Sequence, residues 1–226
     1  MNNDSQMKVY AEFIQENNIS YRKNTLLQFG NSTDLIGSAV LMNPGSASPN
    51  NNKFDINIIK IFYKKTHNAD LESQNLWHCF TSDPTIKQLE KIFNGWYIKD
   101  KPIELNGIIQ LFNCFYFKDQ NLTNAAKQFL QEPKYLFNES SLFSNKPVYF
   151  GWGDEGKNGV FRDIAKKIFS EYNHEYTPIY NTVFEENCFY YPKTINMLYK
   201  KDENVKKFLK DFHGLISNKY KAKNGI

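Results

Sequence analysis

A continuous apolar run that stops at a sharp turn constrains the fold most. Residues 35–42 carry no charged side chain, and Asn43-Pro44-Gly45 follows directly. A strand that is apolar on both faces lies inside a sheet, and an Asn-Pro-Gly sequence ends it in a loop. Residues 108–117 have the same character, and so do residues 146–153 after the initial Lys146. The sequence therefore predicts at least three buried strands, each followed by a loop.

Helical patterns alternate with these strands. Pro84 suits the first position of a helix, and Ile86, Leu89 and Ile92 then fall on one face. Similar spacing predicts helices over residues 122–130, 159–172 and 205–216. Strands alternating with helices indicate a three-layer α/β/α fold with a central, mostly parallel sheet. Loops at the carboxyl ends of such strands meet in one crevice, where ligands usually bind.

The sequence patterns that predict secondary structure are weaker in the remaining segments. We expect residues 1–19 to form an N-terminal arm or short helix and residues 217–226 a frayed basic tail. Residues 21–29 are interpreted as a first strand, residues 54–65 as a strand or hairpin arm, and residues 177–184 as a last strand. Because no repeat or linker divides the sequence, we expect one α/β domain over residues 1–226.

Composition and charge narrow the classes of function. The net charge is +4 and the pI about 8.7, which permits contact with a polyanion but lies below the value of ~9 expected of a dedicated nucleic-acid binder. Cys79, Cys114 and Cys188 lack metal-ligand spacing and do not pair with the histidines, so neither a zinc site nor a disulfide framework is expected. Without an apolar run that suits a signal peptide or a bilayer, we expect a cytoplasmic protein that does not enter a membrane.

Three strand ends carry the candidate chemistry. They are Asn43-Pro44-Gly45, the strand that contains Gln110 and Asn113, and Trp152-Gly153. An amide side chain beside backbone N–H groups held by a proline can orient a water or a small polar ligand. At the opposite rim of the crevice, the glycine of Trp152-Gly153 lets the backbone approach a ligand closely.

The order of these motifs resembles the uracil-DNA glycosylase superfamily. Asn-Pro-Gly comes first, then Cys79-Phe80 and a helix that begins with proline, then the strand with amides, then Trp152-Gly153. More narrowly, these elements resemble a bacterial group that carries the label domain of unknown function 1643. The resemblance implies that Asn43 positions the attacking water, that Phe80 stacks on a flipped base, and that Asn113 or its rival Gln110 reads the edge of that base. It also places further base contacts in the first motif, at Met42, Pro44 and Gly45.

The last motif departs from that family. Where the family has His-Pro-Ser or Asn-Pro-Ser, this chain has Tyr191-Pro192-Lys193. A phenol donates one hydrogen bond but cannot act as a cation, and loss of a donor at such a site costs about 2–4 kcal/mol. We therefore expect weak or absent excision with Tyr191 as the counterpart of the histidine. Nearby residues are candidates for DNA contact, with lysines on phosphates and apolar side chains as a wedge between bases: Lys193, Ile195, Met197 and Lys200.

Three interpretations stay open. The first is a DNA glycosylase that acts on a uracil-like or modified base and needs no metal or organic cofactor. The second is a nucleic-acid-binding protein of the same fold without catalysis, and the third an enzyme that acts on a free nucleoside or nucleotide. The expected partner is single- or double-stranded DNA. A DNA-mimicking inhibitor protein, of the kind that targets this superfamily, is a further candidate partner, and the oligomeric state is left open.

Overall fold

A computed structural model describes residues 7–50, 52–71, 73–98, 102–119, 121–131 and 136–224, with the side chains of 129–131 and 218–224 outside this description. The strands are β1 (Lys8–Glu16), β2 (Ile19–Phe29), β3 (Leu35–Leu41), β4 (Trp77–Cys79), β5 (Gly107–Asn113) and β6 (Val148–Phe150). The helices are α1 (Ile56–His67), α2 (Pro84–Phe93), α3 (Leu122–Gln131), α4 (Gly153–Asn158), α5 (Arg162–Ser170), α6 (Pro192–Leu198) and α7 (Glu203–Asn224).

The six strands form one mixed sheet, in the order β4-β1-β2-β5-β3-β6. β3 pairs in parallel with β5 and with β6, whereas β5–β2, β2–β1 and β1–β4 are antiparallel. The prediction of a mostly parallel sheet is therefore wrong. A hairpin that the sequence analysis missed causes the difference: β1 and β2 are joined by Asn17 and Asn18, whose φ angles are 47° and 63°. Two asparagines with positive φ suit the tight turns of such hairpins.

The α/β class is confirmed, and helices cover both faces of the sheet. Ala39 and Leu41 pack with α2, α6 and α7, whereas the intervening Val40 packs with α3 and α5. The alternation follows from the two-residue period of a strand. Helix α1 covers the same face of the sheet as Val40, but toward the other end of the sheet. It packs there through the side chains of Ile59, Phe62 and Tyr63.

Two segments differ from the prediction because helical and strand patterns were confused. Residues 1–19 include β1 in place of an arm or helix. Residues 54–65 lie largely in α1, where Asp55 caps the first turn by accepting a hydrogen bond from Asn57 N. Its buried residues Ile59, Phe62 and Tyr63 are spaced by three and four, which is the helical period.

Two further segments were predicted with the wrong backbone. Residues 177–184 form no strand but cover the free edge of β6 with side-chain hydroxyls. Thr177 Oγ1 accepts a hydrogen bond from Val148 N (2.9 Å) and Tyr180 OH accepts one from Phe150 N (3.1 Å). The backbone of α7 continues to Asn224, so most of the predicted frayed tail at 217–226 is helical.

Candidate ligand-binding crevice

The turn after β3 presents an amide oxygen, Asn43 Oδ1, that forms no hydrogen bond with any residue that the structure describes. Asn43 Nδ2 donates a hydrogen bond to Asp119 O at 2.6 Å, which fixes the side-chain amide and leaves Oδ1 as its acceptor. Pro44 is buried, and its carbonyl accepts a hydrogen bond from Arg22 Nη2. Gly45 has a φ of 68°, and a Cβ placed there would meet nothing within 4 Å. The turn is therefore held on one side and open on the other, as the orientation of a water by Asn43 requires.

Arg22, which sequence reasoning missed, occupies the centre of this region. Its side chain is 2% exposed, and its Cζ lies 4.5 Å above the centroid of the Phe80 ring. Nε and Nη1 have no hydrogen-bond partner among the described residues. Burial lowers the pKa of Arg22 to about 10, and the nearby Asp83 opposes that shift. The guanidinium is thus a buried cation with unused donors.

Phe80 does not present a free face as the resemblance implies. The ring is 4% exposed, with Arg22 over one face and Phe13 packed against it at a centroid distance of 5.8 Å. It also borders a cleft of about 750 Å³ between β1, α1 and the loop that precedes α1. A base can stack here only on Arg22 or in its place.

The two candidate amides of β5 lie on opposite faces of the sheet. Asn113 is buried on the same face as Leu41 and α2, and its Oδ1 has no partner among the described residues. Gln110 points to the other face, where its Oε1 lies 3.1 Å from His67 Nε2 on α1. The prediction that Gln110 reads a base is therefore wrong, and Asn113 remains the candidate.

Tyr191 lies where two helices begin. It precedes Pro192 at the start of α6, and its hydroxyl lies 3.2 Å from Thr85 Oγ1 in the first turn of α2. A Cβ on Gly153 would lie 3.3 Å from Tyr191 Cβ, so this glycine lets the tyrosine approach the end of β6. The structure thus brings Tyr191, Thr85 and the Trp152-Gly153 turn together, at the edge of the sheet where β3 also ends.

The predicted DNA contacts divide into exposed and buried residues. Lys193 and Lys200 are exposed, and Met197 is 63% exposed. Ile195 is fully buried in the core beneath α6, so its prediction as a wedge between bases is wrong. Met42 is also misassigned as a base contact, because its side chain packs in the core with Val40 on the face away from α2.

The charges around the turn are unbalanced. Lys118 Nζ lies 3.3 Å from Ser48 Oγ and 5.3 Å from the centroid of Phe13. Burial lowers the pKa of Lys118, and the charge of Arg22 lowers it further. Neither cation lies within ion-pair distance of a carboxylate in the part of the chain that the structure describes. The region therefore favours an anionic ligand or a ligand with carbonyl oxygens.

Among the described residues, no group of three or more His, Cys, Asp or Glu side chains is placed to hold a metal ion. The three cysteines are free thiols. Within the same residues, no helix is both long and apolar enough to cross a membrane.

Sequence reasoning gave Arg22, Lys118 and Thr85 no role in the site. Arg22 and Lys118 belong to no short motif, and Thr85 was interpreted only as part of the motif that begins a helix. Arg22 did carry one signal, as a charged residue inside a predicted strand (21–29). Such a residue is either at an exposed edge or buried for a reason. Thr85 and Lys118 join the site only through tertiary contacts.

Comparison with known proteins adds no relative. No family model matches the chain, and neither a curated protein nor a solved structure was found to match it.

Proposed function

We propose that this crevice holds one base of a nucleic-acid strand, in the manner of a uracil-DNA-glycosylase-like protein whose hydrolysis is weak or lost. The supporting observation is the convergence of three groups of different chemistry at one edge of the sheet. These are the free Oδ1 of Asn43, the stacked pair of Arg22 and Phe80, and the phenol of Tyr191.

The stacked pair suits a planar ligand. Unpaired bases in nucleic acids stack on aromatic rings and on the planes of arginine guanidinium groups. A base that enters this region can therefore displace Arg22 from Phe80 or extend the stack above it. The unused donors of Arg22 then meet the carbonyl oxygens of the base or a neighbouring phosphate, which relieves the cost of burying an unpaired charge.

The remaining groups favour binding over cleavage. Asn43 Oδ1 can orient a water, but an amide does not remove its proton. As the bond to the sugar breaks, negative charge develops on the departing base. Tyr191 offers one neutral donor to that charge and already contacts Thr85. Because a neutral phenol stands at the position where the superfamily carries histidine or asparagine, we expect slow excision.

A paired assay of binding and excision tests the proposal. Labelled oligonucleotides of 20 nucleotides, single- and double-stranded and with or without one uracil, are measured by fluorescence anisotropy and for release of the base. Asn43→Ala is compared with Asn75→Ala, a change at an exposed asparagine beside β4. We expect tighter binding of the uracil strand, weakened by Asn43→Ala alone. Release of uracil that Asn43→Ala abolishes identifies a slow hydrolase, and retention without release identifies a binding protein. Absence of any oligonucleotide binding overturns the proposal.

A further inference from the structure

A second surface, apart from the crevice, combines aromatic rings with lysines. We call it the Trp96 patch, and it consists of Trp96, Tyr97 and Tyr199 with Lys91, Lys200, Lys206 and Lys210. The ring centroids lie 5.2 Å apart for Trp96 and Tyr97, 4.7 Å for Tyr97 and Tyr199, and 5.9 Å for Trp96 and Tyr199. Tyr97, Tyr199 and three of the lysines line a cleft of about 620 Å³.

The exposure of Trp96 distinguishes this surface. Trp96 is 41% exposed, whereas Trp77 and Trp152, the other tryptophans of the chain, are each 2% exposed. Burying a tryptophan stabilises a protein, so an exposed one in a cluster of rings suggests a contact surface.

The lysines lie against the rings and are largely free of carboxylates. Lys91 Nζ is 4.3 Å from the centroid of Trp96, and Lys200 Nζ is 5.5 Å from that of Tyr199. Lys206 pairs with Glu203 at 2.6 Å. Within the described residues, Lys91, Lys200 and Lys210 lie within ion-pair distance of no carboxylate. Cations beside ring faces are the combination that binds single-stranded nucleic acids.

Two helices lead from the crevice to this patch. α2 and α6 run side by side in the same direction, since Thr85 contacts Tyr191 at one end and the rings of Tyr97 and Tyr199 meet at the other. Between them, Tyr97 OH donates to Asn196 Oδ1 at 3.3 Å. At about 1.5 Å per helical residue, the eight residues from Tyr191 to Tyr199 span ~12 Å. At about 3.4 Å per nucleotide, the rise of stacked bases, this distance corresponds to at most about four nucleotides.

We propose that the Trp96 patch binds the single strand that continues from the base held in the crevice, within about four nucleotides of that base, with bases on Trp96 and Tyr199 and phosphates on the lysines. This inference rests on the proposed function and specifies its ligand as single-stranded. The carboxylates of an acidic peptide can pair with the lysines, but they supply no aromatic bases to stack on the three rings. Among the described residues that line the cleft, Ile98 is the one aliphatic side chain, so this part of the surface does not offer the apolar face that binding to an anionic membrane needs.

A length series tests the proposal. Single strands carry one uracil and 0, 2, 4, 6 or 8 nucleotides on its 5′ or its 3′ side, and affinity is measured by anisotropy. We expect affinity to rise about tenfold once four or more nucleotides lie on one of the two sides, because stacking on aromatic rings contributes strongly for each base. Trp96→Ala should remove that rise and leave the preference for uracil unchanged.

The charge contribution has a matched control. Lys200→Gln/Lys210→Gln should reduce the slope of log affinity against log salt by about 1.4, since each phosphate contact on a single strand contributes about 0.7. Lys64→Gln/Lys127→Gln removes the same charge from α1 and α3 on the other face of the sheet and should change the slope far less. Unfolding midpoints of all variants are compared with that of the parent chain to exclude misfolding.

Quenching of Trp96 by iodide reports on the unmodified protein. Long strands should protect it from iodide, whereas polyglutamate and anionic vesicles should not. Protection by polyglutamate or vesicles alone, or an affinity that is independent of length and of Trp96→Ala, overturns this inference. In the last case the proposed function stands if Asn43→Ala still weakens uracil binding. Strands that bind through the patch without response to uracil or to Asn43→Ala contradict the proposed function instead.

Discussion

The Arg22 guanidinium lies over the Phe80 ring, with 4.5 Å between Cζ and the ring centroid, and only Pro44 O accepts a hydrogen bond from it among the described residues. A cation buried without a carboxylate partner contributes little to stability and often reduces it. Perturbed charged groups of this kind concentrate at functional sites. The Arg22–Phe80 pair is therefore the feature of the crevice for which stability alone gives no reason.

Replacing Arg22 should separate stability from binding. We expect Arg22→Met to leave the free energy of unfolding unchanged or to raise it by up to about 2 kcal/mol, because an apolar side chain has no charge to desolvate. The affinity for a uracil strand should fall at least tenfold. Denaturant unfolding and anisotropy measure the two quantities, and Arg162→Met, at the other arginine of the chain, is the control. A loss of several kcal/mol would show that Arg22 is structural.

Restoring the missing donor should increase excision. We expect Tyr191→His to raise the rate of uracil release, because an imidazolium supports the departing base better than a phenol; a single donor of this kind is typically worth about 10²–10³ in rate. Single-turnover release of uracil measures the effect. Tyr191→Phe, which removes the contact with Thr85 and supplies no donor, is the control. Equal rates for the histidine and phenylalanine variants would remove Tyr191 from the reaction.

The fold was predictable where burial is uniform along a segment. β3, β5 and β6 follow from apolar runs. The start of α2 follows from Asp83 and Pro84, since Asp83 Oδ1 accepts a hydrogen bond from Ile86 N at 2.9 Å. β1 was missed because its sequence mixes polar and apolar residues. The strand order was then out of reach, because it depends on where the β1–β2 hairpin pairs.

Residues of the candidate site could be predicted only where they belong to a short sequence motif. Motifs were sufficient to propose Asn43, Asn113 and Tyr191. The ends of β3 and β5 and the start of α6, where these residues lie, are at one edge of the sheet. The environment of Phe80 could not, because the side chain that covers it comes from β2, far away in sequence. The sequence also did not determine which face of the sheet Gln110 and Asn113 each point to. An uninterrupted apolar strand has no alternation that distinguishes its two faces.

Two glycines should respond to alanine in opposite directions. A Cβ on Gly37 in β3 would lie 2.8 Å from Pro147 O and 3.1 Å from Phe93 Cε1, whereas one on Gly214 in α7 would meet nothing within 4 Å. We expect Gly37→Ala to cost about 1–3 kcal/mol through overpacking. Gly214→Ala should add about 0.5–1 kcal/mol by restricting the unfolded chain. Thermal unfolding, at about 2–4 °C per kcal/mol for a chain of this size, measures both. The same sign for the two changes would refute the packing around β3.

Stability should decrease below neutral pH through two half-buried histidines, His67 and His174. Burial lowers the pKa of His67, although its hydrogen bond to Gln110 opposes the shift, and burial also lowers the pKa of His174. An unfolded histidine has a pKa of about 6.5, so below that pH the unfolded state takes up the proton first. The contribution of these histidines to the free energy of unfolding is complete above about pH 6.5, and it decreases as the pH falls toward their lower pKa in the native state.

The midpoint temperature of thermal unfolding should therefore decrease as the pH is lowered from 7.5 to 5.5. His67→Gln keeps a polar side chain beside Gln110 and should show a smaller fall over the same range. An unchanged pH dependence in this variant would exclude His67 as a contributor.

The direction of β2 has a consequence for the charge of the crevice. Because β2 is antiparallel to β5, its first residues, not its last, lie beside the ends of β3 and β5. Arg22 belongs to those first residues; in an all-parallel sheet, Gln28 and Phe29 would border the crevice in its place. Reversal of a single strand thus exchanges an uncharged rim for a cationic one, and the electrostatic character of this crevice is a property of chain topology as much as of sequence.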